Sequence, residues 1–422
     1  MIITINANDT LYSISKKYAI PIQKIIADNG ILNETLAVGQ SLILNTAKRA
    51  ETTSSETNVS SVAEENDISE KTLYRNNYIL KGLPQIEKGT YLVFEYEKEP
   101  TIRKIIGGYA YDFISPERLM SVINYLTYII PFTYGFTPDG ELIKPNAEYI
   151  LKKAYESSVR SLMHISTLTE NGNFDSNLPS LLFSKPKTQD TLINNIINEI
   201  NEKGYAGADI DFEFLPYYEK ENYVNFIKKL SERLQELDKI LIVAVPPKTS
   251  DKQTGLLVEG IDYGALGKYA DYILIMAYEY GYKFGPPLAI APIDKVKDVL
   301  DYAKTIIDSE KLLLGISNYG YDWTLPYVKG ESDAPSISTV TAIELAKKYG
   351  SEIMFDEKSM APYFFYTDEK GNVHEVWFED ARSYKAKIEL IEEYNLAGGF
   401  IWDLMRENPQ GFVTINSLIE IL

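Results

Sequence analysis

Ten residues decide the fold of this chain, and they read Tyr205-Ala206-Gly207-Ala208-Asp209-Ile210-Asp211-Phe212-Glu213-Phe214. Successive side chains of a β-strand point to opposite faces. In a strand, Asp209, Asp211 and Glu213 therefore share one face, and the other face is apolar, formed by Ala208, Ile210, Phe212 and Phe214. Three carboxyl groups crowded on a buried strand repel one another and lose hydration. Such crowding retains a proton that an isolated carboxyl would lose at neutral pH, so the pattern predicts a site for acid–base chemistry.

Two other interpretations of the three acids stay open at this point. Acidic residues also alternate along strands whose polar face is solvated, although the apolar opposite face favours a buried strand. An Asp-x-Asp-x-Glu spacing could also hold Mg²⁺ or Ca²⁺ through oxygen ligands. The chain has no cysteine and only two histidines, His164 and His374. Thiolate and multi-histidine metal centres are therefore excluded, and no metal or other cofactor is predicted.

Short apolar runs alternate with amphipathic helical patterns on both sides of this strand. Eight runs are predicted as strands: Ile105–Tyr111, Tyr128–Phe136, Ser161–Ser166, Ala208–Phe214, Ile240–Pro247, Tyr272–Tyr280, Leu312–Tyr319 and Gly398–Leu404. Eight strands alternating with helices predict an α/β fold, a (β/α)8 TIM barrel over residues 102–422. That segment exceeds the about 250 residues usual for this barrel. We therefore expect a small α+β insertion at about 324–380, with a helix at Val340–Tyr349 and a hairpin that turns at Lys370–Asn372.

A weak internal repeat precedes the barrel. Ser13–Ile20 aligns with Ser61–Ile68, and Asn29 aligns with Asn77 at the same offset. Each unit has the pattern of a strand, two helices and a strand, which predicts two small βααβ modules.

The boundaries of these modules are predicted from two polar segments. Ala50–Glu56 has no periodic pattern and is expected to be a structureless linker, and the charged run Glu95–Pro100 is expected to join the modules to the barrel. The modules are therefore placed at residues 1–47 and 50–97.

Charge and composition restrict the partners. The formal net charge of −18 makes nucleic acid and anionic membranes poor partners, whereas an uncharged polymer would be tolerated. The 32 Tyr, 16 Phe and 3 Trp suit a groove that stacks on sugar rings. The N-terminus has no basic segment followed by an apolar core, so no signal peptide is expected. No membrane partner is predicted either, because no stretch approaches the roughly 18–20 apolar residues of a span.

The acidic strand resembles the signature of glycoside hydrolase family 18, Asp-Gly-x-Asp-x-Asp-x-Glu. Ala206 stands where the signature begins with Asp, and every other motif position is intact through Glu213. The resemblance implies a retaining hydrolysis in which the substrate's own acetamido group is the nucleophile, an exception to the two-carboxylate scheme. It implies that Glu213 protonates the leaving oxygen and that Asp211 orients the acetamido group. Asp209 would lie deeper and share a proton with Asp211.

Other strand ends match the family as well. Met276-Ala277-Tyr278-Glu279 resembles a family motif that ends in Asp, which implies that Tyr278 bonds the acetamido carbonyl and that Glu279 contacts sugar. Trp402 matches the tryptophan that floors the sugar site. Substrate contacts are also expected from Tyr109 and from Trp377, although core packing would explain these two residues equally well. Core packing also stays open, as the lesser alternative, for Tyr278 and Trp402. His164 is interpreted as a core histidine. For His374, packing within the insertion and a place in the wall of the groove are equally expected.

The N-terminal units resemble LysM modules, which bind glycans that contain N-acetylglucosamine. The first unit carries the resemblance in Asp9–Ile14, Asn29 and Val38–Gln40, and the second is degenerate. The combination resembles bacterial spore glycosidases that act on cortex peptidoglycan as N-acetylglucosaminidases. It implies peptidoglycan or a related glycan as partner and a spore location. A chitinase, or a glycan-binding lectin on an inactive barrel, stays open as an alternative.

Overall fold

Parallel strands form a nearly closed barrel in the computed structural model, which describes residues 1–422. The strands, in chain order, are Ile102–Tyr111, Tyr128–Phe132, Arg160–Ser161, Met163–Ser166, Gly207–Asp211, Ile240–Val245, Tyr272–Ile275, Leu312–Ser317 and Gly398–Trp402. Two of these nine segments are one third strand interrupted at Leu162. Its first half pairs with the second strand and its second half with the fourth, so the sheet returns to its start. The predicted TIM-barrel architecture is confirmed.

Helices cover the outside of the barrel and bury one apolar stripe each. They are Pro116–Ile123, Glu148–Glu156, Leu178–Phe183, Pro186–Lys203, Lys220–Gln235, Tyr263–Tyr269, Ile293–Ala303, Ala381–Glu393 and Pro409–Leu418, with 3₁₀ turns at Tyr217–Glu219 and Ser309–Lys311. The main core lies between helices and strands, and a smaller apolar cluster fills the barrel interior. The interior of the barrel is therefore packed with side chains. Short strands at Gly135–Phe136, Leu142–Ile143 and Ile419–Ile421 flank the barrel. No helix combines the length and the apolar character that crossing a membrane requires.

The insertion between the seventh and eighth strands forms a separate antiparallel sheet. Its strands are Gly320–Leu325, Ser336–Ile337, Met354–Asp356, Ala361–Thr367 and Val373–Trp377, and one helix, Thr339–Tyr349, packs on it. The expected hairpin is present, and Gly371 takes φ +86° at its turn. The sheet begins at Gly320, earlier than expected, because Tyr321–Leu325 pairs with the hairpin.

The two N-terminal units share one fold. The first has strands Ile2–Thr4 and Ser41–Ile43 with helices Leu11–Tyr18 and Ile22–Asn29. The second has strands Ala47–Thr52, Thr57–Asn58, Gln85–Ile86 and Tyr91–Tyr96, helices Val59–Glu65 and Glu70–Asn76, and a 3₁₀ turn at Tyr78–Leu80. In each, a buried asparagine ties the second helix to the last strand: Asn29 bonds both backbone groups of Ile43, and Asn77 bonds those of Val93. The aligned asparagines therefore play the same structural part.

The expected linker at Ala50–Glu56 is wrong in its first half. Residues 47–52 form a strand that pairs antiparallel with Tyr91–Tyr96. This strand lies in a two-stranded sheet and leaves most of its side chains in solvent, so its sequence lacks the apolar alternation that identifies a strand. The charged segment Glu95–Pro100 that joins the modules to the barrel is also shorter than expected, because residues 95 and 96 belong to the partner strand.

Both N-terminal modules dock on the rest of the chain through specific polar contacts. Buried Gln410 donates to the Asn29 side chain at 3.1 Å and to the Ser41 carbonyl at 2.6 Å, and it accepts from the backbone N–H of Ala381, the first residue of a barrel helix. From the second module, Arg75 donates to the Asn124 carbonyl at 2.6 Å. Between the modules, Lys24 of the first donates to the Tyr96 hydroxyl of the second at 3.0 Å. The modules are thus fixed to the barrel and to each other.

Equivalent glycines of the two modules provide a matched test of this docking. Gly39 and Gly89 both have positive φ, +80° and +88°. A Cβ at Gly39 would lie 1.8 Å from the Ile353 carbonyl oxygen, whereas a Cβ at Gly89 meets nothing within 4 Å. In both alanine variants the free energy of unfolding should fall by about 1 kcal/mol, because alanine is strained in the left-handed backbone conformation. In Gly39→Ala it should fall further, because the module must move away from the insertion. Denaturant unfolding of both variants measures the difference, and equal losses would contradict the close contact.

Candidate active site

Three acids sit where the fourth barrel strand ends. Asp209 is fully buried within the strand, Asp211 is its last residue, and Glu213 lies two residues beyond. Asp211 and Glu213 line a cavity of about 690 Å³, and Asp209 lies beneath them. The volume is typical of a small-molecule site. The acids are therefore stacked in depth from the barrel interior to the cavity, in the order that the sequence predicts.

Phe214 departs from the expected alternation. It takes φ +55° and is 45% exposed, and its ring lines the cavity. The expectation that it lies on the buried apolar face was wrong because the strand ends at Asp211 and the backbone turns after Glu213. Phe212, one residue after the strand, still packs in the core as expected.

Asp209 is held by groups from two other strands. Its Oδ2 accepts the Tyr109 hydroxyl at 2.7 Å and lies 3.7 Å from Nε2 of His164. Burial, opposed by His164 and Tyr109 and reinforced by nearby Asp211, raises the pKa of Asp209 to about 6. Tyr109 thus contacts an acid of the site directly.

Glu213 is poised to donate a proton at neutral pH. Burial, and then the charges of Asp211 and Glu279, raise the pKa of Glu213 to about 8. No protein group forms a hydrogen bond or an ion pair with its carboxyl. A carboxylic acid that is still protonated near pH 7 and faces an open cavity is suited to general acid catalysis.

Tyr278 and Glu279 come from the loop after the sixth strand. Tyr278 lines the cavity, and its hydroxyl makes no hydrogen bond to the protein. Burial, followed by the charge of Asp211, raises the pKa of Tyr278 well above its usual value, so the hydroxyl stays a donor. Glu279 takes φ +63° and its Oε1 accepts the hydroxyls of Tyr319 and Tyr321. Two neutral donors fix this carboxylate without neutralising its charge.

Aromatic rings form the floor and one wall of the cavity. Trp402, at the end of the eighth strand, packs edge-on against Phe132 and Tyr109 with ring centroids 4.9 and 5.4 Å away. Tyr111 and Phe174 extend the same wall. The lining includes no lysine or arginine. Flat apolar rings beside acids are suited to a sugar with no negative charge.

The structure places Trp377 away from the cavity. Its ring is 9% exposed, stacks on Tyr363 at 4.5 Å, and donates its indole N–H to Glu375. His374 is also engaged inside the insertion, with Nδ1 at 2.8 Å from Asp322. Both residues thus pack in the insertion, because the sheet formed around Gly320–Leu325 covers them.

Several lining residues were missed in the sequence. Phe132 and Phe174 lie on the wall, and His164, interpreted as a core residue, also reaches the cavity. The signal for Phe132 and His164 was their place near the carboxyl ends of the second and third strands, where a barrel builds its site. Phe174 lies in a loop and carried no such signal. No group of three or more His, Asp or Glu side chains has the arrangement of a metal site.

Activity is expected to fall above about pH 8, where Glu213 loses its proton. Glu279→Gln should move this alkaline limb to lower pH, because the charge of Glu279 is one cause of the raised pKa of Glu213. The pH profile of kcat/KM measures both, since it reports the ionisations of the free enzyme. Glu221→Gln, on the exposed face of a helix, is the control. An alkaline limb that stays in place in Glu279→Gln would mean that its charge does not reach Glu213.

Comparison with known proteins agrees with this geometry. Residues 106–407 match the model of glycosyl hydrolases family 18, and residues 3–45 match the LysM domain. The chain is 36% identical over 298 residues to the cortical fragment-lytic enzyme of Bacillus subtilis (strain 168), covering 71% of this chain and 69% of the relative. It is 32% identical over 456 residues to the enzyme of that name from Bacillus anthracis, covering 97% and 96%.

A solved structure extends the likeness to the whole chain. The spore cortex-lytic enzyme SleL of Bacillus megaterium QM B1551 superposes with a TM-score of 0.84 at 35% identity, covering 100% of this chain and 98% of that one. The match therefore includes the N-terminal modules, the barrel and the insertion. On the family model, these relatives and the acidic strand end, the chain belongs to glycoside hydrolase family 18 and is a glycosidase with an N-terminal LysM domain.

Proposed function

We propose that this protein is a retaining, substrate-assisted N-acetylglucosaminidase that cleaves after N-acetylglucosamine in peptidoglycan, on fragments of spore cortex during germination. The observation that carries the proposal is Glu213, an acid with a pKa of about 8 that faces the cavity beside Asp211. This pair supplies a proton to a leaving oxygen and a carboxylate to an acetamido N–H.

In the first step, Glu213 transfers its proton to the glycosidic oxygen as the bond from that oxygen to the anomeric carbon breaks. The acetamido carbonyl oxygen of the same sugar attacks the anomeric carbon and forms an oxazolinium ion. Asp211 accepts a hydrogen bond from the acetamido N–H and stabilises the positive charge, and Tyr278 donates to the acetamido oxygen. Asp209 lies beneath Asp211 and shares a proton with it.

In the second step, Glu213 acts as a base. Its carboxylate takes a proton from a water molecule, and the water oxygen attacks the anomeric carbon as the oxazolinium ring opens. Two inversions at one carbon retain the β configuration, and the acid is regenerated.

The substrate is proposed from three observations. Close relatives carry the names cortical fragment-lytic enzyme and spore cortex-lytic enzyme. A LysM domain lies at the N-terminus, and the family of such modules binds N-acetylglucosamine glycans. The cavity offers aromatic rings and no lysine or arginine, which suits a neutral sugar. A spore location follows from the same relatives.

The test is digestion of purified cortex fragments and identification of the new reducing sugar. N-Acetylglucosamine at every new reducing end supports the proposal. Muramic residues at the new ends would overturn it, and turnover of chitin oligomers alone would assign a chitinase. Binding to glycan without any new reducing end would assign a lectin.

A further inference from the structure

His164 lies directly under the acids of the active site. It is on the third barrel strand, is 1% exposed, and pairs in register with Asp209 of the fourth strand. Its Nε2 is 3.7 Å from Oδ2 of Asp209 and 3.7 Å from Oδ2 of Asp211. One ring nitrogen thus faces both aspartates at equal distance.

A threonine fixes which nitrogen of His164 faces the acids. Nδ1 lies 2.6 Å from Oγ1 of Thr133, and the same oxygen lies 3.0 Å from the Tyr134 carbonyl oxygen and 2.9 Å from Oγ of Ser166. The Thr133 contact anchors the ring on its Nδ1 side. Nε2 is therefore the nitrogen that faces the aspartates.

The aspartates have few other partners. Oδ1 of Asp209 and Oδ1 of Asp211 are buried without any hydrogen bond, and no lysine or arginine lines the cavity. The titratable groups that face the ring are these two acids and Tyr109, whose ring packs edge-on at 5.5 Å. The second strand contributes only Phe132 and the anchoring threonine, which do not titrate. His164 is thus the one side chain that can offset the negative charge of the pair.

We propose that His164 is a positioning residue for hydrolysis: its Nε2 is the shared partner of Asp209 and Asp211 and holds both carboxyl groups in place beneath the substrate. This inference rests on the proposed function, because it assigns a task to the pair that steadies the acetamido group. With His164 in place, a negative charge on the pair is stabilised beneath the substrate. Without it, Asp209 would hold its proton to higher pH, because the charge of His164 is one of the effects that lower the pKa of Asp209.

Two variants separate the two ring nitrogens. A glutamine at position 164 places its amide nitrogen near the site of Nε2, and an asparagine places its own near Nδ1. His164→Asn should lower kcat at least about tenfold with KM within about twofold, and should move the acid limb of the kcat profile to higher pH. His164→Gln should recover most of the loss. Wild-type kcat and an unmoved acid limb in both variants, on a chromogenic β-N-acetylglucosaminide, would overturn the inference.

A second measurement on the unaltered chain applies even if these variants fail to fold. The protein has only two histidines, so ¹⁵N-histidine NMR shows two rings, and His374→Gln assigns them. We expect the Nε2 resonance of His164 to shift over the pH interval of the acid limb, because the charge of the acids that it contacts changes there. An Nε2 resonance that stays constant while the carboxyl signals of the pair titrate overturns the inference. This experiment requires no turnover, so inactivity of the wild type would count against the proposed function alone.

Discussion

Glu213→Gln is expected to lower kcat about 10³-fold, the scale of a lost general acid. The amide has the shape of the carboxyl but cannot release a proton to the leaving oxygen or take one from water. The fold should be unchanged, because the Glu213 carboxyl makes no hydrogen bond with the protein. Kinetics on cortex fragments, with thermal unfolding measured in parallel, tests the activity and the stability separately.

Glu221→Gln is the matched control, since it removes a carboxyl of the same type from an exposed helix eight residues away in sequence. It should retain wild-type kcat. Release of reducing ends by Glu213→Gln at the wild-type rate would reject the assignment of the acid.

Removal of the acetamido group from the substrate is expected to lower the rate even more than Glu213→Gln does. When the 2-acetamido group is replaced by a hydroxyl, the internal nucleophile disappears and kcat/KM should fall by about 10⁴-fold or more, in keeping with the effective concentration of a well-placed intramolecular group. Asp211 and Tyr278 would then have no partner on the sugar. A pair of chromogenic glycosides with one leaving group, which differ only at carbon 2, measures the ratio.

The leaving group is the internal control in this comparison, because both substrates need the same proton from Glu213. Equal turnover of the two glycosides would show that a protein carboxylate or water attacks the anomeric carbon. Product analysis by NMR adds a second criterion, since a single direct displacement by water would invert the anomeric configuration.

The barrel and its acids could be predicted because both have strong local patterns. Buried parallel strands are continuous apolar runs, and those around Ile210 and Val243 have almost no other interpretation. The order of Asp209, Asp211 and Glu213 follows from a period of two. The LysM-like repeat was visible because its buried asparagines and glycines are fixed by backbone geometry.

What could not be predicted depends on contacts between distant segments. Phe214 turns into the cavity because the strand ends before it, and strand ends are poorly marked in sequence. Ala47–Thr52 is a strand only because Tyr91–Tyr96 lies beside it. From the sequence, Trp377 and His164 could each line the cavity, hold another side chain in place or pack in the core. Their roles depend on the residues that surround them, and those residues come from other strands.

The contacts through Gln410 and Arg75 have a consequence for experiments that shorten the chain. Domains that share such interfaces stabilise each other and unfold together. Calorimetry of the full chain should therefore record one concerted transition. A chain that begins at the first barrel strand would expose the carbonyl of Asn124 to solvent. The Gln410 amide would lose its partners in the first module. A lower activity after such truncation could therefore result from destabilisation of the barrel as much as from loss of glycan binding by the modules.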